Sequence, residues 1–150
     1  MNRNVYQKAT IAFDQGWYCA ESVLKVIAAD AGITSKLIPK IATGFCSGIS
    51  RTCGMCGALS GGILALGIVY GRETSGESVQ KNYDAVKALI AKFEKKFGSA
   101  NCKELIGCDL GTKAGQRMFS ENNLHRGCRE YTGKTAEFVS EIIALDRDSK

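Results

Sequence analysis

Read for apolar positions alone, the chain divides into stretches of helical period. In residues 3–15, Tyr6, Ala9 or Thr10, and Phe13 share one face, and Gly16 breaks the pattern. A second stripe runs Ala20, Val23, Leu24, Ile27, Ala31, opening at Cys19 and stopping at Gly32. Residues 33–45 predict a short helix begun after Ser35, with Pro39 in its first turn. From Met55 to Tyr70 the only polar side chain is Ser60, so a helix there is expected to be buried on every side. Its Ala58, Gly61, Gly62, Ala65 and Gly67 offer small surfaces to close neighbours. A long amphipathic helix follows at 77–97, in which Val79, Tyr83, Val86, Ile90, Phe93 and Phe97 step by three and four. A polar helix at 112–122 with Met118 and Phe119 inward, and a last one at 132–146 packing through Ala136, Val139, Ile142 and Ile143, complete the series. The pattern predicts an all-α fold: one domain over residues 1–150, a single helical bundle around the buried Gly/Ala-rich helix at about 55–70.

Composition narrows this picture. With 150 residues and 45% hydrophobic content the chain has enough apolar surface for one ordinary core. Its net charge of +5 is spread along helix faces without a dense basic stripe, so nucleic-acid binding is not expected. The uncharged window from Thr52 to Gly71 approaches the length of a membrane span, but its apolar part starts only at Met55 and is rich in glycine, so no membrane span is expected. The opening residues carry no apolar core of signal-peptide length, which points to a cytoplasmic protein.

Seven cysteines are many for such a chain, and in a reducing compartment they suggest ligands or reactive thiols rather than structural disulfides. Three of them, Cys46, Cys53 and Cys56, directly precede the apolar run. Cys53 and Cys56 have the C-x-x-C spacing of a dithiol or a soft-metal clamp and are the redox candidates. Cys56 and Cys19 both fall near expected helix starts, where free N–H groups and the helix dipole favour a thiolate. The loop 44–54, with Gly44, Ser47, Gly48, Ser50 and Gly54, is composed to turn N–H groups toward cluster sulfides, thiolates or an anion. Arg51 supplies a cation beside it. Cys102 and Cys108 lie in a turn at 100–110, and Cys128 precedes the last helix. His125, the only histidine, reads as an exposed loop side chain.

The run Cys56-Gly57-Ala58-Leu59-Ser60-Gly61 resembles the CGAxxG signature of the C_GCAxxG_C_C family of redox-active proteins, which is named for its cysteine pattern. The resemblance extends to Cys19-Ala20-Glu21-Ser22-Val23-Leu24, to Asn101-Cys102-Lys103-Glu104-Leu105-Ile106-Gly107 and to Cys128. It implies a functional set of Cys19, Cys56, Cys102 and Cys128, with Gly57, Ala58 and Gly61 completing the signature. A related module is similar to the part of split-Soret cytochrome c that carries an iron–sulfur cluster. Cys56 is followed by Gly57 and no C-x-x-C-H occurs, so no covalent haem is implied. Cys46, Cys53 and Cys108 are additional to the pattern. Either Cys46, Cys53 and Cys56 form a local trio completed by one distant ligand, or the four family cysteines bind and the others act as redox partners or as ligands to a larger cluster.

Thiol-rich sites favour zinc, copper(I) or iron–sulfur clusters, and zinc alone leaves three cysteines unexplained. The expectation is a redox protein with an iron–sulfur cluster, 2Fe–2S or 4Fe–4S. Cys19, Cys56, Cys102 and Cys128 are its candidate ligands, Cys46, Cys53 and Cys108 its additional ones, and Gly54, Gly57 and Arg51 its other contacts. It would exchange electrons with a redox protein partner or act as a sensor, and a homodimer is compatible with this. Whether it turns over a substrate is left open. The competing readings are a metal-free thiol–disulfide protein, with Cys53 or Cys56 attacking, and a partner-binding helical module in which the cysteines merely pack. The cysteines are expected to gather at one end of the bundle.

Overall fold

The computed structural model describes residues 3–150, so Met1 and Asn2, which open the stretch read for an export signal, lie outside the described residues. Those described form an all-α bundle. Its helices are α1 (Arg3–Asp14), α2 (Cys19–Asp30), a 3-10 turn (Lys40–Phe45), α3 (Cys46–Arg51), α4 (Gly57–Tyr70), α5 (Gln80–Phe97), α6 (Cys102–Ile106), α7 (Lys113–Glu121) and α8 (His125–Asp148). Among the described residues no helix is long and apolar enough to cross a membrane.

Helix α4 is the hub, packed on α2, α5 and α8, while α1 closes the far side against α2 and α8. Leu59, Leu66, Leu89, Phe93, Leu24 and Val139 are completely buried around it, and each such side chain contributes about 1.5–3 kcal/mol on leaving water. From Gly57 to Gly62 α4 is buried on every side, as its apolar sequence implies, while Ile63 and Leu64 are half-buried. Its last turn is not enclosed either: Gly67 is exposed, and Ile68, Val69 and Tyr70 are only half-buried. The small residues set how closely the helices approach. An ideal Cβ on Gly61 would lie 2.5 Å from the Ala20 carbonyl oxygen, and one on Gly62 would lie 2.8 Å from both Leu89 Cδ2 and Thr135 Cγ2.

Several expected elements are placed differently. Pro39 does not open a helix: the chain turns through it, and the 3-10 turn starts at Lys40. The buried stripe of α5 is Ala85, Leu89 and Phe93, which leaves Tyr83 exposed. Met118 is also exposed, because α7 sits outside the main core and inserts only Phe119, into a small satellite cluster around Cys102, Ile106 and Cys108. The last helix begins at His125, seven residues before the expected start, with Gly127 and Gly133 inside it. Gly133 is there because the Tyr6 ring of α1 occupies the place of a side chain, 2.5 Å from an ideal Cβ.

The most unusual backbone is α3, a single left-handed turn. Ser47, Gly48, Ile49, Ser50 and Arg51 have φ of 57, 66, 60, 55 and 66°. Only Gly48 adopts this region freely. Each of the other residues costs about 1–2 kcal/mol, and a β-branched residue such as Ile49 is a genuine outlier there. Hydrogen bonds tie the turn down: Gly48 O accepts from Gly54 N at 2.8 Å, and Ser50 Oγ donates to Gly44 O at 2.8 Å.

The close packing at Gly61 is testable. Gly61→Ala forces a Cβ onto the Ala20 backbone and is expected to cost about 3 kcal/mol. Gly67→Ala, which meets nothing within 4 Å, is expected to gain up to about 1 kcal/mol from helix propensity. Urea midpoints of the two variants check this, and equal effects would contradict the packing described.

Candidate cysteine-lined redox site

Four cysteines reach one place from four helix beginnings. Cys19 is the first residue of α2 and Cys56 the N-cap of α4. Cys102 is the first residue of α6, whose N-cap Asn101 accepts a hydrogen bond from Glu104 N through its side chain. Cys128 lies in the first turn of α8. The segments carrying Cys56 and Cys102 are stitched by an isolated antiparallel bridge between Met55 and Asn101. There Cys56 N donates to Ala100 O at 2.8 Å, Cys102 N to Gly54 O at 2.9 Å, and Asn101 Nδ2 to Cys53 O at 2.8 Å. Cys56 and Cys102 therefore sit at the same end of the bundle.

The run after Cys56 is a packing device. Gly57 and Gly61 are four residues apart and share the face of α4 turned to α2. An ideal Cβ on Gly57 would fall 2.3 Å from Cys19 Sγ, while Gly61 meets the Ala20 backbone. Ala58 between them is completely buried. The two glycines thus let the N-terminal turns of α2 and α4 touch, which brings Cys19 beside Cys56.

Cys19, Cys56, Cys102 and Cys128 line a cavity of about 370 Å³ together with Ser47, Gly48, Arg51 and Gly57. The other three cysteines are placed elsewhere. Cys46 is buried against Cys19, off the cavity wall. Cys53 is half-buried and hydrogen-bonded to the Asp109 carboxylate, which raises its pKa and helps hold that of Asp109 low after the Gly111 N–H. Cys108 is buried in the satellite cluster, and burial raises its pKa. The C-x-x-C pair is therefore split, with Cys56 on the cavity and Cys53 facing Asp109. Gly54 also lies away from the wall, where it links α3 to the Cys102 segment.

The thiols on the wall sense one another. Burial pushes the Cys56 thiol up to about 12; the backbone N–H groups of Leu59 and Ala58 oppose this, and the nearby sulfurs of Cys128 and Cys102 add to it. Cys128 is pushed up to about 12 by burial and then by Cys102 and Cys108, and Cys102 to about 11 by burial and then by Cys53 and Cys108. No group of three or more His, Cys, Asp or Glu side chains among the described residues is disposed to hold a metal ion.

Sequence reasoning missed Tyr131, which lines the cavity and packs edge-on to Phe97 with ring centroids 4.7 Å apart. Its hydroxyl donates to Leu105 O at 3.3 Å, and burial followed by Cys128, Cys56 and Cys102 raises its pKa. The signal was its position three residues after Cys128, visible only once the helix is started at His125. His125 is exposed but stands in the first turn of α8 at the cavity rather than in a loop, and Phe13, Gln116 and Phe119 also line it.

The protonated thiols set an alkaline limit on the metal-free protein. Cys56 titrates near 12 when folded and near about 8.5 when unfolded, so between those values the unfolded chain alone releases the proton. Stability is then complete below about pH 8.5 and falls by about 1.4 kcal/mol per pH unit from Cys56 alone as pH rises toward 12. Urea unfolding of the reduced protein at pH 7.5 and pH 10 checks this. A Cys56→Ala variant should show a shallower loss, and an identical loss would contradict it.

No curated protein and no solved structure matches the chain. A family model matches residues 17–142, from just before Cys19 to beyond Cys128. The chain therefore belongs to the C_GCAxxG_C_C family, described as "Putative redox-active protein (C_GCAxxG_C_C)".

Proposed function

We propose that the protein is a redox carrier or sensor whose cavity holds an iron–sulfur cluster on Cys19, Cys56, Cys102 and Cys128. The observation that carries this is the convergence of these four thiols, from four separate elements, on one cavity of about 370 Å³. The donor set fits the group: four soft sulfur ligands and no carboxylate or second histidine among them. When bound, such a cluster supplies reversible one-electron transfer.

The chain's own groups would prepare the site. N–H groups of Leu59 and Ala58 favour negative charge on the Cys56 sulfur. Arg51, on the cavity wall, adds a positive charge against the thiolates. The strained turn α3 brings Ser47, Gly48 and Arg51 to the wall together. An ideal Cβ on Gly48 would lie 2.6 Å from Cys102 Cβ, so the turn can approach that cysteine only through glycine. Cys53 and Cys108 are left outside the ligand set. The electrons would come from or pass to an unidentified redox protein.

Serine substitution tests the assignment. Cys19→Ser, Cys56→Ser, Cys102→Ser and Cys128→Ser, each purified without oxygen and reconstituted, are expected to lose most bound iron and acid-labile sulfide while keeping their helical circular dichroism. Cys53→Ser and Cys108→Ser are expected to retain both. Loss at Cys53 with retention at Cys19 or Cys128 would overturn the ligand set in favour of a trio around the C-x-x-C pair.

A further inference from the structure

Of the three cysteines buried in the main core, Cys19 and Cys56 line the cavity and Cys46 does not. The Cys46 sulfur instead sits at the N-terminal turn of α2 against the Cys19 thiol; that neighbour and burial push the Cys46 thiol up, and the backbone N–H groups of Glu21 and Ala20 oppose this. Its remaining polar neighbour is Ala42 O, to which the thiol donates at 3.6 Å. Gly57 keeps the meeting point of the two cysteines open: an ideal Cβ there would lie 2.3 Å from Cys19 Sγ and 3.1 Å from Cys46 Cα. Both thiols are free, and Cys19 alone also faces the cavity.

We propose that Cys19 and Cys46 form a peroxide-responsive dithiol–disulfide couple that withdraws Cys19 from the cavity. Of the two, Cys19 lines the cavity and is the thiol a small hydroperoxide can reach, reacting as its thiolate. That thiolate attacks one peroxide oxygen and the O–O bond breaks. The other oxygen leaves as hydroxide and takes up a proton, so that Cys19 becomes a sulfenic acid and one water is released. The Cys46 thiol then attacks the Cys19 sulfur as its proton passes to the departing oxygen. The S–O bond breaks, a second water leaves with the remaining thiol proton, and the disulfide forms. In sum, two thiols are oxidised and one hydrogen peroxide is reduced to two waters. A thiol reductant reverses the step by exchange.

The consequence for the cluster rests on the function proposed above, whereas the disulfide chemistry does not. Cys19 has one sulfur and cannot serve both, so oxidised protein is expected to take up no iron and sulfide until reduced.

The test uses the full reduced protein without metal. It is treated with one equivalent of hydrogen peroxide, blocked with N-ethylmaleimide and digested with trypsin in the absence of reductant. Cys19 and Cys46 then fall in separate peptides, 9–25 and 41–51. The expected result is a cross-link between these two peptides, reversed by dithiothreitol, with two of the seven thiols lost. Cys46→Ser, or Cys46→Ala where serine perturbs folding, should abolish the cross-link and raise the yield of Cys19 sulfenic acid trapped by dimedone. Iron and sulfide uptake by these variants should stay at the wild-type level. Absence of the 9–25 to 41–51 cross-link, or its replacement by another pair, overturns the inference and leaves the cluster assignment standing. A wild-type protein that forms the cross-link but never holds iron and sulfide supports the couple and removes the cluster.

Discussion

The contact on which the site depends is the meeting of two helix N-termini at two glycines. Gly57 makes room for the Cys19 sulfur and Gly61 for the Ala20 backbone, so α2 and α4 touch where each turns first-turn N–H groups toward a cysteine sulfur. Any side chain at these positions would drive the helices apart and move Cys19 away from Cys56. The buried length of α4 then fixes the rest, because α5 and α8 pack on its other faces and α8 delivers Cys128 and Tyr131 to the same end. Stability and site geometry therefore share one cause, which is the small, uncharged surface of the central helix.

A second constraint is the left-handed turn at 47–51. Four residues other than glycine in that region are unfavourable, and strain of this kind persists only where the surroundings over-determine it. Here the bridge between Met55 and Asn101 and the bonds to Gly48 O hold the turn. What it achieves is spatial: it separates Cys46, which turns inward to Cys19, from Arg51, which reaches the cavity. The seven cysteines are thereby sorted into different surroundings. Four lie on a shared wall, one backs Cys19, one is held by Asp109, and one is packed in the satellite cluster.

Much of this was legible in the sequence, and the exceptions have physical reasons. Apolar spacing gave the all-α bundle, the buried central helix and the helical stretches of α1, α2 and α5, because those faces meet a core. Cysteines at helix starts, together with the family resemblance, pointed to Cys19, Cys56, Cys102 and Cys128, which the fold brings to one cavity. The beginning of α8 was hidden by Gly127 and Gly133, which lower helix propensity; Gly133 is required by the Tyr6 ring, a tertiary contact that no local pattern announces. The handedness of α3 was equally hidden. Ser47, Ile49, Ser50 and Arg51 carry no preference for positive φ, and only their surroundings impose it. The inward placement expected for Met118 failed because α7 packs on the satellite cluster rather than on the main core.

The central claim, that four thiols on one wall hold a cluster rather than a single ion, is tested most directly by iron-edge X-ray absorption on anaerobically reconstituted wild-type protein. The account predicts a first shell made of sulfur and a short iron–iron vector that survives reduction by dithionite. A first shell dominated by oxygen or nitrogen, or iron without an iron–iron vector, would contradict it.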